Sequence, residues 1–302
     1  MGLHEELCQI LGVKNVWKDE PMKQHTTFRV GGPADWFVTP EEEEQIRDLI
    51  RLLRAKNIPY YVMGNGSNLL VGDKGYRGVI IQLCKKMSKI RTMEDHVIYA
   101  QAGALLSKIA VEALNQSFTG FEFASGIPGT LGGAVMMNAG AYGGEMKHVL
   151  KSAMAIDAQG ELKVLPIEQM ELGYRTSVFA KNGDIVLSAQ IQLEPGNLEE
   201  IRSYMEDLKN RRVTKQPLEY PSAGSTFKRP EGYFAGQLIQ ETGLRGFQVG
   251  GAQVSEKHCG FVINKDNATA ADVMSLIEQV VDRVEAKFGV RLEPEVKRIG
   301  EF

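Results

Sequence analysis

Eight of the 25 residues from Gly120 to Gly144 are glycine: Gly120, Gly126, Gly129, Gly132, Gly133, Gly140, Gly143 and Gly144. A stretch so poor in side chains cannot bury a face of its own. It must run as turns whose N–H groups lie bare, and successive bare N–H groups make a concavity that binds anions. A shorter stretch of the same kind, Gly64-Asn65-Gly66-Ser67-Asn68, follows the predicted strand Tyr60–Met63. No Lys or Arg occurs in 57–73 or 109–146. A phosphate held there is expected on backbone amides and helix ends rather than on side-chain cations. Neither stretch fits a common nucleotide fingerprint. The P-loop lysine is missing, and Leu69 stands where the third glycine of G-x-G-x-x-G belongs. Tight turns between packed strands stay open as the alternative.

The rest of the composition narrows the class. A chain of 302 residues suggests about two domains. Lys plus Arg is 35 and Asp plus Glu is 38, a net charge of −3 that argues against nucleic-acid binding. Cys8, Cys84 and Cys259 are far apart with no C-x-x-C, as in a reduced, cytoplasmic protein without a metal site. No apolar run approaches the ~20 residues of a membrane span. Glu5 and Glu6 argue against a signal peptide, and Glu6 against myristoylation.

Periodicity predicts a strand over 34–39 and a helix capped by Thr39, with Pro40 first and Glu42 closing a capping box. Ile46, Leu49, Ile50 and Leu53 give that helix one apolar face, and Tyr60–Met63 completes a βαβ unit. Strands are expected at 78–83 and 96–102, and a helix at 104–116 with Leu105, Ile109 and Ala113 inward. A hairpin is expected over 152–165 and a half-buried strand over 184–193. Asn197 and Glu200 open a helix to about Arg212, and a loop-like 213–226 follows. The last third alternates 234–242, 261–264, a helix 269–288 capped by Thr269 and Asp272, and a strand 290–296. A domain boundary falls within 197–215.

Several segments resemble one family in order along nearly the whole chain. They are Thr26-Thr-Phe-Arg-Val-Gly-Gly-Pro-Ala34, Gly64–Asn68, Ser125-Gly-Ile-Pro-Gly-Thr130, Asn138-Ala-Gly-Ala-Tyr-Gly143, Gly173-Tyr-Arg-Thr-Ser177, Ser222-Ala-Gly-Ser-Thr-Phe-Lys228 and Leu292-Glu-Pro-Glu-Val296. The family is UDP-N-acetylenolpyruvoylglucosamine reductase. Only 176–224 separates Arg175 from Ser225, which leaves no room for the insertion bearing a lid tyrosine and resembles the shorter, type II branch. Cys259-Gly260 stands where many relatives have Ala-Asn, so a substrate contact there does not carry over.

The resemblance implies an α+β fold. It consists of a two-lobed vanillyl-alcohol-oxidase-type (PCMH-type) FAD-binding domain, lobes 1–83 and 84–203, and a smaller α+β substrate-binding domain, 204–302. It implies non-covalent FAD, NADPH as co-substrate, and UDP-N-acetylglucosamine enolpyruvate as the substrate reduced in peptidoglycan synthesis. A monomer or weak oligomer that binds neither nucleic acid nor membrane is expected. The implied flavin contacts are Gly64, Asn65, Gly66, Ser67, Asn68, Ser125, Gly126, Pro128, Gly129, Thr130, Gly132 and Gly133.

The reaction needs hydride at the β-carbon, stabilisation of an α-carbanion beside a carboxylate, and a proton to the α-carbon. Arg175 is the expected carboxylate binder, because a guanidinium meets a carboxylate in two hydrogen bonds and stays charged. Ser225 is the expected proton donor. Glu295 is the third catalytic member by family match, with a less determined role. Lys228 is expected on a diphosphate, with Tyr174, Gln253 and Asn264 as further substrate contacts. The remaining cations near it, Lys209, Arg211, Arg212, Lys215 and Arg229, read as a solvated helix end. Tyr60, Tyr61, Phe121 and Phe123 read as core. A His258–Cys259 nucleophile pair is rejected on the ground that neighbours on a strand face apart. Another oxidoreductase on the same flavin fold, and a non-catalytic nucleotide-binding module, are the competing readings.

Overall fold

A computed structural model describes residues 2–302. The chain forms two units, one from residues 2–17, 37–65 and 79–212, the other from 18–36, 66–78 and 213–302.

The first unit is built on a five-stranded sheet ordered Leu162–Pro166, Leu150–Ile156, Ile185–Gln192, Val97–Gln101, Ile90–Thr92. All four pairings are antiparallel. The expected hairpin is present, with Gly160 at φ +85° in its turn. Ile185–Gln192 is not half-buried as expected, since Ile185, Val186, Leu187, Ser188 and Ala189 are all buried in succession. It is the central strand, and the short helix Leu131–Met136 packs on it. The polar position Ser188 therefore lies inside, not toward water. Helix Leu106–Asn115 buries Leu106, Ile109, Ala110 and Ala113, with Leu105 as its N-cap instead of an inward residue.

Helix Glu43–Ala55 buries Ile46, Leu49, Ile50 and Leu53, as the period requires. Its start is three residues later than expected. The N-cap is Glu42, and Gln45 Oε1 accepts from the N–H groups of Glu41 and Glu42. Thr39 forms no capping box with Glu42: its N–H, the donor such a box needs, goes to Asn15 O at 3.1 Å, and its Oγ1 caps no N–H. Strand Tyr60–Met63 follows, but it does not adjoin Pro33–Val38. The sheet order is Val16–Pro21, Pro33–Val38, Tyr76–Gln82, Tyr60–Met63, with Tyr76–Gln82 parallel to Tyr60–Met63.

The second unit packs the long helix Ala270–Phe288 on a small antiparallel sheet of Gln248–Val249, Ala252–Val254 and Val262–Asn264. Val273, Leu276, Ile277, Val280, Val281 and Val284 form its buried face, and Phe28, Val30 and Leu70 join the same core. The helix starts as expected. Thr269 Oγ1 accepts from Asp272 N, and Asp272 Oδ2 accepts from Thr269 N, each at 3.0 Å. Asp73 adds a second carboxylate, accepting from Ala270 N at 2.7 Å and Ala271 N at 2.9 Å.

The Thr269 N–H, as its largest influence, holds the Asp272 carboxyl below the usual carboxylate range. A depressed folded-state pKa gives stability that is present above the unfolded value, about 3.9, and lost as pH falls through the folded one. Asp272→Ala is therefore expected to lower the melting temperature at pH 7, by removing the acceptor of the Thr269 and Gly251 N–H groups. In thermal melts the gap from wild type should close below about pH 4.

The expected strand 290–296 forms only an isolated bridge, Phe227 to Pro294, and the regular strand begins at Lys297. Lys228 N donates to Glu293 O and Glu295 N to Thr226 O, both at 2.8 Å. Pro294 thus occupies the one register position whose N–H faces away from the partner, where proline is tolerated. Lys297–Ile299 then runs parallel to Leu69–Val71. Among the described residues no helix is long and apolar enough to cross a membrane. None of them group three or more His, Cys, Asp or Glu as a metal site.

Candidate active site

In the first unit the two glycine stretches meet. Asn65 Nδ2 donates to Pro128 O at 2.8 Å. Any Cβ on Gly64 would overlap Thr130 Oγ1, and one on Gly132 would lie 2.9 Å from Ala102 Cβ. These glycines are required by backbone approach as much as by a ligand. The N–H groups of exposed Gly126, half-buried Gly129 and buried Thr130 donate to no acceptor among the described residues, and of the three only Thr130 lies where water is excluded. Buried N–H groups are almost always paired. Bare amides here fit an anionic group such as a dinucleotide's diphosphate. Gly126 also lies against Arg212, where an added Cβ would be 3.1 Å from Cδ and 3.2 Å from Nη1. Burial pulls the Arg212 guanidinium below its ordinary value, and Tyr142 offsets this in part.

The C-terminal half of the long glycine stretch supports Arg175. Residues Gly173 and Thr176 bond to each other's backbone across a tight turn, with Arg175 at φ +56°. A non-glycine residue in that region stores strain, and such strain concentrates at functional sites. The turn is held from below. Asn138, itself buried, donates to Gly173 O at 3.0 Å and Glu145 Oε2 at 2.9 Å, and accepts from Lys147 N at 2.9 Å. Ser177 Oγ donates to Met136 O at 2.7 Å. The Arg175 guanidinium carbon sits 5.2 Å from the centroid of the exposed Tyr174 ring. Phe121 and Phe123 are core, edge to face at 5.7 Å. Tyr60 and Tyr61 are half-buried, and burial raises the Tyr61 phenol.

In the second unit several motif segments converge. Thr27 N donates to Gly66 O at 3.2 Å and Thr27 Oγ1 to Ser222 O at 2.6 Å. Asn68 joins the segment of Glu295, donating through Nδ2 to its carbonyl at 3.4 Å and accepting from Lys297 N at 3.0 Å. The N–H groups of Gly66, Ser67 and Asn68 have no acceptor among the described residues.

Ser225 is exposed between Gly224, at φ +77°, and buried Thr226, whose backbone carbonyl accepts from Glu295 N. Ser225 and Glu295 are thereby brought onto adjacent extended segments. Lys228 pairs with Glu293. Gln253 Nε2 donates to Gly246 O and Gln248 Oε1, both at 3.3 Å. Asn264 Nδ2 donates to Phe28 O at 3.2 Å while its Oδ1 accepts from Ala268 N at 2.8 Å. These two amides are engaged in holding the fold.

His258 and Cys259 lie in a turn, not on a strand, so the opposite-face argument does not apply to them. Burial raises the Cys259 thiol and lowers His258. Gly260 N donates to His258 Nδ1 at 3.1 Å, and an added Cβ on Gly260 would be 3.0 Å from His258 Cε1 and 3.6 Å from Ser225 Oγ.

Sequence reading missed Asn138 as a support and read Arg212 as solvated. Arg212 lies four residues after buried Leu208, and that helical spacing was the available signal.

Residues 34–165 match the family described as FAD binding domain, and residues 216–299 match that described as UDP-N-acetylenolpyruvoylglucosamine reductase, C-terminal domain. The chain is 54% identical over 299 residues to the UDP-N-acetylenolpyruvoylglucosamine reductase of Clostridioides difficile, covering 99% of this chain and 98% of that protein. It is 56% identical over 296 residues to that of Agathobacter rectalis, covering 94% of each. The crystal structure of UDP-N-acetylenolpyruvylglucosamine reductase from Thermus caldophilus superposes with a TM-score of 0.80 at 36% identity, over 94% of this chain and 98% of that one. An alkyldihydroxyacetonephosphate synthase, 16% identical, matches 63% of this chain and 40% of its own at a TM-score of 0.50, a likeness of fold alone. With matches to both parts and relatives along its length, the chain belongs to the UDP-N-acetylenolpyruvoylglucosamine reductase family, flavin-dependent oxidoreductases of α+β fold with a PCMH-type FAD-binding domain.

Proposed function

We propose that this chain is an NADPH-dependent, cytoplasmic enzyme of peptidoglycan synthesis. It reduces the enolpyruvyl group of UDP-N-acetylglucosamine enolpyruvate to the lactyl ether of UDP-N-acetylmuramate. One observation carries the reading: a single chain joins a match to the FAD binding domain family to a match to the reductase's C-terminal domain. Lobes 1–83 and 84–203 hold the flavin, 204–302 the substrate, and the protein acts as a monomer or weak oligomer.

FAD is held non-covalently by Gly64–Asn68 and Ser125–Gly133 through main-chain amides. When bound, it supplies the hydride for the substrate's β-carbon after taking one from NADPH. The chain's own groups manage charge and proton. Arg175 grips the substrate carboxylate and stabilises negative charge spreading onto it as the β-carbon is reduced, since fixed charge placed where charge develops is usually the largest catalytic contribution. Ser225 gives its hydroxyl proton to the α-carbon. A carbanion beside a carboxylate is basic enough to take it. Glu295 assists in its protonated form or through water, because a charged carboxylate would repel the intermediate. Lys228 exchanges Glu293 for the diphosphate of the UDP sugar, Tyr174 contributes to the substrate surface, and Gln253 and Asn264 shape that surface through the fold bonds they make.

The test is the visible spectrum of the purified protein. The expected preparation is yellow, bleached by NADPH and recoloured anaerobically by the enolpyruvyl UDP sugar. A flavin-free preparation that cannot be reconstituted would leave a nucleotide-binding module. Rapid recolouring by oxygen, with no response to the sugar, would leave a different oxidoreductase.

A further inference from the structure

We propose that His258 is a positioning residue for Ser225: its imidazole accepts the Gly260 N–H, and through Gly260 it seats the segment from which the Ser225 hydroxyl gives its proton. The inference rests on the reductase reading above and adds to it the group that holds the proton donor in place. Gly260 is buried and has no Cβ, so its backbone is free to turn and no side chain of its own anchors it. Both of its polar groups are engaged instead. Its N–H donates to His258 Nδ1 at 3.1 Å, and its carbonyl accepts from Thr226 N at 2.8 Å. Thr226 directly follows Ser225. It accepts Glu295 N at 2.8 Å through its carbonyl and Val262 N at 2.9 Å through Oγ1. A Cβ on Gly260 would lie 3.1 Å from His258 Nδ1 and 3.6 Å from Ser225 Oγ. The imidazole edge and the hydroxyl thus border the same face of one glycine.

The ring is itself held. His258 N and Lys257 N donate to Oγ of buried Ser255, at 3.3 and 3.2 Å. Phe261 meets the imidazole edge to face at 5.1 Å, and Gly236 leaves room for Cε1, which a Cβ there would approach to 3.3 Å. Because Nδ1 accepts, the neutral ring carries its proton on Nε2. A second proton, on Nδ1, would set donor against donor and leave the Gly260 N–H buried and unpaired. The seat of Ser225 therefore requires neutral imidazole. Burial, the largest influence, lowers His258, and the charge of Lys215 lowers it too, so the neutral form persists below the usual value of about 6.5. The other titratable groups on the surrounding elements are few. Burial raises the Cys259 thiol, and Glu256 and Lys257 on the same turn are exposed. Glu241 ends helix Ala235–Glu241 and accepts from Gln237. On the Ser225 side stand Glu295 and Lys228, the latter paired with Glu293.

The experiment follows both half-reactions of the full flavin-loaded chain by stopped-flow absorbance, from about pH 5 to about pH 8. His258→Leu removes the acceptor. It is expected to bleach with NADPH as the wild type does and, at saturating enolpyruvyl UDP sugar, to recolour about 10- to 100-fold more slowly, the effect of a misplaced reacting group. Wild-type recolouring should slow as pH falls below about 6.5 and the imidazole protonates. His258→Asn restores an acceptor, because asparagine Oδ1 takes the N–H two residues on, and it does not titrate. It should recover most of the rate lost in His258→Leu and abolish the acid slowing. Histidine ¹⁵N NMR should show His258 protonated on Nε2 at neutral pH, and a proton on Nδ1 overturns the proposal. Wild-type recolouring in His258→Leu also overturns it, as does equal slowing of both half-reactions. A raised half-saturating sugar concentration with an unchanged limiting rate overturns it too, by making His258 a ligand contact. Should His258→Leu fail to fold, His258→Asn decides: an acid slowing shared with the wild type, or absent from both, refutes the role. A wild type that the sugar cannot recolour removes the reductase reading itself, whereas one that recolours without regard to His258 removes only this seat.

Discussion

Ser225→Ala is expected to bleach with NADPH at the wild-type rate and to recolour with UDP-N-acetylglucosamine enolpyruvate about 10²–10⁴-fold more slowly, the usual worth of a positioned general acid. The two half-reactions separate the roles because only the second delivers a proton to carbon. The Ser225 hydroxyl is exposed and makes no hydrogen bond among the described residues, while buried Thr226 beside it accepts Glu295 N and receives Val262 N at 2.9 Å. Removing the hydroxyl therefore leaves the anchor intact, and the fold should change by no more than about 0.5 kcal/mol. Stopped-flow absorbance in the flavin band, run separately with each substrate, gives both rates. Equal slowing of the two would remove Ser225 as the proton donor.

Arg175→Gln is expected to slow the same second half-reaction by about 10²–10³-fold, the cost of losing one preorganised donor to a developing oxyanion. Arg175→Lys should recover little, because an ammonium keeps the charge without the two-pronged geometry. The backbone supplies an independent check. Arg175 is held at φ +56° by a turn that Asn138 and Ser177 fasten. Glycine meets no steric penalty there, so Arg175→Gly should be inactive yet more stable by about 0.5–1 kcal/mol, after allowance for glycine's looser unfolded chain. Thermal melts of the wild type and the glycine variant measure this. A less stable glycine variant would mean that the turn carries no strain to release.

What the sequence made legible follows from which forces act locally. The apolar stripe of helix 43–55 and the Thr269–Asp272 cap are set by residues within a few positions of one another, and both form as read. The first of these helices starts later than its capping residues suggest because the Thr39 N–H that a Thr39–Glu42 box would use is taken by Asn15, a partner outside its own window. Ile185–Gln192 looked half-buried because a serine can face water or lie against a helix, and only packing decides between them. At the site, the glycine stretches and the motifs bearing Arg175, Ser225 and Glu295 were visible as a resemblance. The conformation of Arg175 was not, since it comes from a buried asparagine 37 positions earlier in the chain. Arg212 was hidden by its company, standing among cations that suit any helix end, with nothing nearby in sequence to mark Gly126 as its neighbour.

The pairing of residues 297–302 with 69–75 has a consequence for folding. Lys297–Ile299 lies along Leu69–Val71, Glu301 bridges to Gly75, and Lys74 Nζ reaches Phe302 O from 228 positions away. Contacts so distant in sequence form late, after a large loop has been closed. Leu69–Val71 therefore gains this neighbour only once residues 297–299 have come back to it, a late step in folding. Removing residues 297–302 should accordingly leave Leu69–Val71 with an unpaired edge and lower the soluble yield on expression.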